Sequence, residues 1–279
     1  MIVRLLTLLL IAVPVAAAPV VDPPRDLVNP AKMIVLHVPV GGVAINGVAY
    51  LASGAGPHPT LVIAHGWPGN EKNLDLAQAV RRAGWNAVTF NYRGSWGSPG
   101  RFRFAQVPED AAAVLAQVRA RATELRVDPR RIVLAGHSMG GWATALTAAR
   151  DPALAGAVLI SAGDMGRFGK VPRAEVVARA ADNAETLVTT PDAMADELIA
   201  DSASLQLTRA APGLRALPLL VLTSDDGLAP HSAALVAAIR NGGGTRVTTR
   251  HVATDHSWSD ARLRLADKVI AWIDALPPR

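Results

Sequence analysis

The chain contains no cysteine, which excludes disulfides, thiolate nucleophiles and cysteine-ligated zinc. Lysine is nearly as scarce. Only Lys32, Lys72, Lys170 and Lys268 occur, so the other 24 basic residues are arginine. The net charge of +5 therefore comes from scattered arginines. The closest groupings, Arg81-Arg82 and Arg130-Arg131, sit at element boundaries rather than along a stripe, which argues against a nucleic-acid partner. No H-E-x-x-H or comparable His and carboxylate spacing appears, so neither a metal nor a cofactor is expected. Repeats and low-complexity blocks are also missing. Half of the 279 residues are hydrophobic and 18% are charged, a balance that excludes a disordered or coiled-coil chain and leaves room for one large domain.

One apolar run stands apart. Arg4 precedes residues 5–15, and Ala16-Ala17-Ala18 follows, the pattern of a secretory signal over residues 1–18. Pro14 and the shortness of the run argue against a membrane span. An exported protein, periplasmic or secreted, is expected. The Pro-rich stretch within 19–32 reads as a tether, leading into a domain over 33–279.

Within that domain, β-branched apolar runs at 60–64, 87–90, 132–135, 157–160 and 217–222 alternate with helical patterns at 73–83, 109–126, 139–149, 232–240 and 261–276. Continuous apolar strands separated by helices predict a mostly parallel sheet covered on both faces. An antiparallel hairpin around Gly41-Gly42, with arms at 33–39 and 43–52, leads into it, and a further strand is expected at 245–252. Residues 163–212 carry helical patterning at 173–187 and 191–204 but no strand, and predict a small helical cap.

Gly136-His137-Ser138-Met139-Gly140 follows the apolar run 132–135 and opens a helical segment. With 23 glycines in the chain, composition predicts about 0.07 chance matches to G-x-S-x-G, before a strand and a helix are required around it. Glycines two before and two after the serine allow a sharp turn that exposes its hydroxyl near the positive end of the helix. Ser138 is the candidate nucleophile. His65-Gly66-Trp67-Pro68-Gly69 ends an earlier strand. Acyl transfer needs two backbone N–H donors for the developing oxyanion, and the amides of Trp67 and Met139 are the candidates, since Pro68 cannot donate. The base must be a histidine. His256, in a polar loop after the predicted strand 245–252, suits that role better than His251, which falls within the strand. Asp225 and Asp226 both follow the run 217–222 as candidate orienting acids, and each is also a possible turn residue.

Together these residues resemble the α/β-hydrolase superfamily of serine esterases and peptidases, from Leu61 to Trp272. The elbow and the HGxxG loop match, and the chain order Ser138, Asp226, His256 is that of the superfamily triad. The G-x-D-D-x-x-V-P motif aligns with Thr223–Pro230 and singles out Asp226, with Thr223 in place of glycine. Only the histidine of G-x-x-H matches, at His256, with Ala253 at the glycine position. The segment Asn91–Ser98 resembles D-x-R-G-x-G-x-S, with Asn91 replacing the aspartate that makes a structural hydrogen bond. The nearest branches are dipeptidyl-peptidase-like and dienelactone-hydrolase-like. The resemblance implies an α/β-hydrolase fold of about eight strands and an acyl-enzyme mechanism on a small ester or short peptide. Trp67, Trp96, Trp142 and Trp258 suggest an apolar site and favour esters, with core packing the alternative and at least an equal one for Trp142, in a helix. A peptidase would need a carboxylate for the peptide amine, for which Glu175, Asp182 and Glu185 in the cap are candidates.

Overall fold

The computed structural model describes residues 21–277; the predicted signal lies outside them. Eight strands form one sheet in the order β1-β2-β4-β3-β5-β6-β7-β8. They are β1 (Lys32–Val40), β2 (Val43–Leu51), β3 (His58–Ala64), β4 (Asn86–Phe90), β5 (Val127–His137), β6 (Gly156–Ile160), β7 (Leu219–Thr223) and β8 (Val247–His251). β1 and β2 pair antiparallel with each other, and β2 pairs antiparallel with β4. Every later pairing is parallel. The burial patterns explain the difference. β4 and β6 are buried at every residue, as strands covered on both faces must be, whereas β2 alternates buried and half-buried positions.

Alternate side chains of the central strands enter two separate cores. Leu61, Ile63, Val133, Val158 and Leu220 meet α1 (Leu74–Arg82) and α9 (Arg262–Asp274) on one face. Val62, Leu134, Leu159 and Val221 meet α2 (Val107–Ala120), α3 (Met139–Ala148) and α8 (Ala229–Asn241) on the other. This is the period-two side-chain pattern of a strand.

Three predicted helices end well short, among them 191–204, which stops at Ala200. α2 stops at Ala120 rather than 126, because Arg126 takes a left-handed φ of 52° and its guanidinium donates to the carbonyls of Gly54 and Ala52. The pattern over 173–187 forms a helix only at α5 (Arg173–Ala181). Beyond it the backbone pairs sideways: Trp96 N–H donates to Thr186, and Val188 N–H to Gly94. Around α5, residues 163–212 contain α4 (Met165–Phe168), α6 (Pro191–Ala200) and α7 (Ala211–Leu214) and no strand of the sheet.

Strand order decides where chemistry can occur. After β3 the chain moves outward to β4, then returns to add β5 on the other side of β3. The loops following β3 and β5 therefore diverge and leave a crevice at the carboxyl ends of two adjacent strands. Ala64 pairs with Gly136 at that rim, so the two Gly-rich motifs emerge side by side.

Candidate active site

Ser138 sits between β5 and α3 with φ 58° and ψ −120°, a conformation that costs on the order of 1–3 kcal/mol for a residue with a side chain. Its neighbours hold it there. Ser138 N–H donates to the Ile160 carbonyl at 2.9 Å, and the Ser138 carbonyl accepts from Gly141 and Gly163. The elbow glycines are required by close backbone approach. A Cβ on Gly136 would lie 2.0 Å from the Gly140 carbonyl oxygen, and one on Gly140 would lie 2.2 Å from that of Ala64.

The loop after β3 runs directly past the serine. A Cβ on Gly66 would stand 3.0 Å from the Ser138 Cβ. The Tyr92 hydroxyl donates to the His65 carbonyl at 2.9 Å, the Trp96 indole donates to Pro68 at 2.8 Å, and His65 Nδ1 donates to Gly66 at 2.8 Å. Gly69, at φ 102°, has the His65 ring where a side chain would project. His65 is buried, and desolvation pushes its pKa down to about 4, so it is a neutral strut for this loop. Trp67 and Met139 thus flank Ser138 from the two divergent loops.

The predicted acid and base meet at the ends of β7 and β8. His256 Nδ1 lies 2.7 Å from Asp226 Oδ2, and the other oxygen of Asp226 accepts the Leu228 amide at 2.9 Å. Burial raises the Asp226 carboxyl pKa, but hydrogen bonds from His256 and Leu228 outweigh it and hold the value below the ordinary carboxylate range. With Nδ1 committed to Asp226, Nε2 is the ring nitrogen left for the hydroxyl. Ser138 and His256 line one cavity of about 210 Å³ together with Gly66, Trp67, His137 and Asn183. No hydrogen bond yet joins the Ser138 hydroxyl to the His256 ring among the described residues; such contacts commonly tighten only around substrate. A larger hollow of about 580 Å³ lies against β8 and α9 around Trp272, but it contains none of these groups.

Several supporting residues escaped the sequence reading. His137, inside the elbow, donates from Nε2 to the His256 carbonyl at 2.8 Å, and the two rings lie 4.6 Å apart. Burial first, and then the nearby His256, lower the His137 pKa to about 4. Its Nδ1 is buried without a partner, so it is a support and not a competing base. Below the pair, the Trp258 indole donates to Ser161 Oγ at 3.0 Å, and Ser161 Oγ lies 2.7 Å from Ser224 Oγ. Ser224 lies close enough to Asp226 to help lower its pKa. Ser161 and Trp258 both have positive φ, 45° and 60°, so backbone strain gathers around this network. The strand-end position of Ser161 was the available signal.

Other expectations need correction. Trp258 is wholly buried and outside the cavity; Trp142 is wholly buried too, donating to the Leu205 carbonyl, as the core-packing alternative for it expects, and of the four tryptophans only Trp67 lines the cavity. Glu175, Asp182 and Glu185 are exposed and do not line it; the same segment contributes Asn183 instead. Asn91 keeps a hydrogen bond where the superfamily has aspartate, its amide donating to the Trp96 carbonyl at 3.2 Å. Among the described residues, no group of three or more His, Asp or Glu side chains is arranged to hold a metal ion.

A strained serine at a strand-to-helix turn, above a parallel sheet with an Asp–His pair at neighbouring strand ends, defines the α/β-hydrolase class. The Alpha/beta hydrolase family model matches residues 61–275, well over half of the sequence, and the chain belongs to that family. An uncharacterized protein of Mycobacterium tuberculosis (strain H37Rv) is 30% identical over 140 residues, which make up 50% of this chain and 48% of that protein. The match spans about half the length of that relative.

Solved structures with the same fold include EstE1, a thermophilic carboxylesterase cloned from a metagenomic library. Its TM-score is 0.65 at 24% identity, covering 90% of this chain and 91% of that one. Brefeldin A esterase, described as a bacterial homologue of human hormone sensitive lipase, gives 0.66 at 20% identity over 94% and 81%. A 2,6-dihydroxy-pseudo-oxynicotine hydrolase gives 0.67 at 17% identity over 90% and 69%.

Proposed function

We propose that the protein is a serine hydrolase that cleaves a carboxylic ester through an acyl-enzyme. The observation that carries this reading is the 2.7 Å contact between His256 Nδ1 and the buried Asp226, beside the cavity that Ser138 also lines. In this reading Ser138 Oγ attacks the ester carbonyl carbon while His256 Nε2 takes its proton. Asp226 keeps the imidazole in the productive tautomer and stabilises its positive form. The amides of Trp67 and Met139 receive the oxyanion, each worth ~3 kcal/mol in reactions of this type. His256 then returns the proton to the departing alkoxide. In the second half, water gives its proton to His256 and its oxygen to the acyl carbon, and Ser138 is released with the acid.

Glu175, Asp182 and Glu185, the carboxylates considered for a peptide amine, lie outside the cavity, so the peptidase alternative would have to anchor its amine on Glu71 instead. A binding protein that retains the scaffold without catalysis is the other rival, and it predicts no reaction with a fluorophosphonate probe. The test is hydrolysis of 4-nitrophenyl acetate by wild type and Ser138→Ala. The variant should fall by about 10⁴-fold or more, and equal rates would overturn the reading. Export follows from the N-terminal run at 5–15. Among the described residues no helix is long and apolar enough to cross a membrane. Mass spectrometry of the N-terminus after cell fractionation tests that part; an intact chain in the cytoplasm would refute it.

A further inference from the structure

We infer that the ester is short and carries hydrogen-bond donor groups close to the bond that is cleaved, an inference that rests on the acyl-transfer reading above. Volume is the first argument. Drug-sized ligands occupy cavities of roughly 300–1,000 Å³. The cleft beside Ser138 is about 210 Å³, below that range, so it encloses only a small group next to the serine.

Lining chemistry is the second argument. Apart from Ser138 and the histidines, the polar side chains at the cavity are Asn70, Glu71, Asn183 and Ser257, and the aromatic one is Trp67. The Trp67 ring is occupied elsewhere, packing edge-on against Phe104 and Phe168 at 5.1 and 6.5 Å between centroids. A chain of methylenes would find little apolar surface here, and its burial would displace water from polar groups at a cost.

Of these polar side chains, Glu71 is an acceptor only, and Asn70, Asn183 and Ser257 can each both donate and accept. The Asn183 side-chain amide donates one N–H to the Arg179 carbonyl at 2.9 Å, which leaves Oδ1 and its second N–H for a ligand. Glu71 accepts the Asn73 amide with one carboxylate oxygen and lies 3.6 Å from Arg262. Arg262 does not neutralise it fully, because the same guanidinium is gripped by both oxygens of Asp75 and by Asn73. Two carboxylates share one guanidinium, so Glu71 keeps acceptor capacity and part of its negative charge at this wall, while the Lys72 ammonium is held 3.8 Å over the Trp96 ring. Hydroxyl or ammonium groups on the substrate satisfy both. Long apolar chains and anions satisfy neither.

The test compares pairs of esters matched in shape. Glycerol monoacetate is set against 2-methylbutyl acetate, in which methyl groups replace the hydroxyls. Alanine methyl ester is set against methyl isobutyrate, in which a methyl replaces the ammonium. The donor-bearing member of at least one pair should have the higher kcat/KM by about ten-fold or more. Which pair shows the preference distinguishes hydroxyl from ammonium as the donor. Asn183→Leu and Glu71→Gln should each reduce that ratio several-fold, mainly through KM, with unchanged thermal unfolding as the control for folding. Comparable rates within both pairs would overturn the inference, as would 4-nitrophenyl octanoate outperforming the acetate. Ser138→Ala separates the two failures. If hydrolysis persists without Ser138, the acyl-transfer reading falls; if hydrolysis requires Ser138 but ignores the donors, only the substrate inference falls.

Discussion

Two aspartate–histidine pairs stand next to each other at the ends of β7 and β8, and they differ in almost everything but composition. Asp225 meets His251 at 3.1 Å with side chains 63% and 50% exposed. Asp226 meets His256 at 2.7 Å, with the aspartate only 2% exposed. The outer pair ends at a threonine hydroxyl, Thr223, 3.0 Å from His251 Nδ1. The inner pair is held from every side: the Leu228 amide on the carboxylate, His137 on the His256 carbonyl, and Ser224, Ser161 and Trp258 beneath. An ion pair in water is screened and contributes little, whereas a buried carboxylate must have its hydrogen bonds satisfied and so acquires a fixed direction. Chemistry requires that fixed direction, and burial is its source.

The sharpest way to break the comparison is to neutralise each acid. Asp226→Asn should reduce kcat on 4-nitrophenyl acetate by about 10⁴-fold, because the amide favours the wrong imidazole tautomer. Asp225→Asn should change kcat less than about two-fold. Equal effects would mean that the inner pair has no special role.

Acid next tests the buried supports around the inner pair. His137 and His65 are both buried with pKa values lowered to about 4 from 6.5, so the folded state binds fewer protons than the unfolded chain in this window. Their contribution is complete above pH 6.5 and is lost as pH falls towards 4. Each lost contribution amounts to roughly 3 kcal/mol. Denaturant unfolding across pH 7 to 4 should show this loss, and His137→Phe, which retains a ring but cannot titrate, should flatten part of it.

Ser161→Ala removes the acceptor for the buried Trp258 indole and a partner of Ser224. It should destabilise by about 1–3 kcal/mol and lower kcat more than KM, since it loosens the floor beneath Asp226. Smallest of all, His251→Ala should shift stability by less than about 1 kcal/mol, and raised salt should remove even that.

The fold was highly legible. Seven of the eight strands were present as apolar runs or as an alternating hairpin, because a buried parallel strand can be built only from such residues; the exposed edge strand β8 was visible only by its β-branched residues. The elbow was equally visible: Gly136 and Gly140 lie against backbone carbonyls that leave no room for a Cβ, so the constraint is written into residue identity. The surroundings of the site were less so. Trp142 and Trp258 belong to the core rather than the cavity, and nothing local distinguishes a tryptophan that faces substrate from one that faces a helix. Asn183 carries no motif and reaches the cavity only because a distant segment folds over it, whereas Glu71 comes with the HGxxG loop that it closely follows. The predicted helix 173–187 ended early for a similar reason, its last residues being drawn into pairing with the 94–102 loop.

Local pattern alone therefore determined the alternation of strands and helices, the strained serine turn and the order of the reactive residues along the chain, since these depend on sterics and burial within a few residues. Which aspartate turns inward, which histidine it meets and what lines the cavity were decided by the sheet. Its crossover at β3 and β5 brings together groups separated by more than a hundred residues, and only in that packed setting do their burial and hydrogen bonds exist.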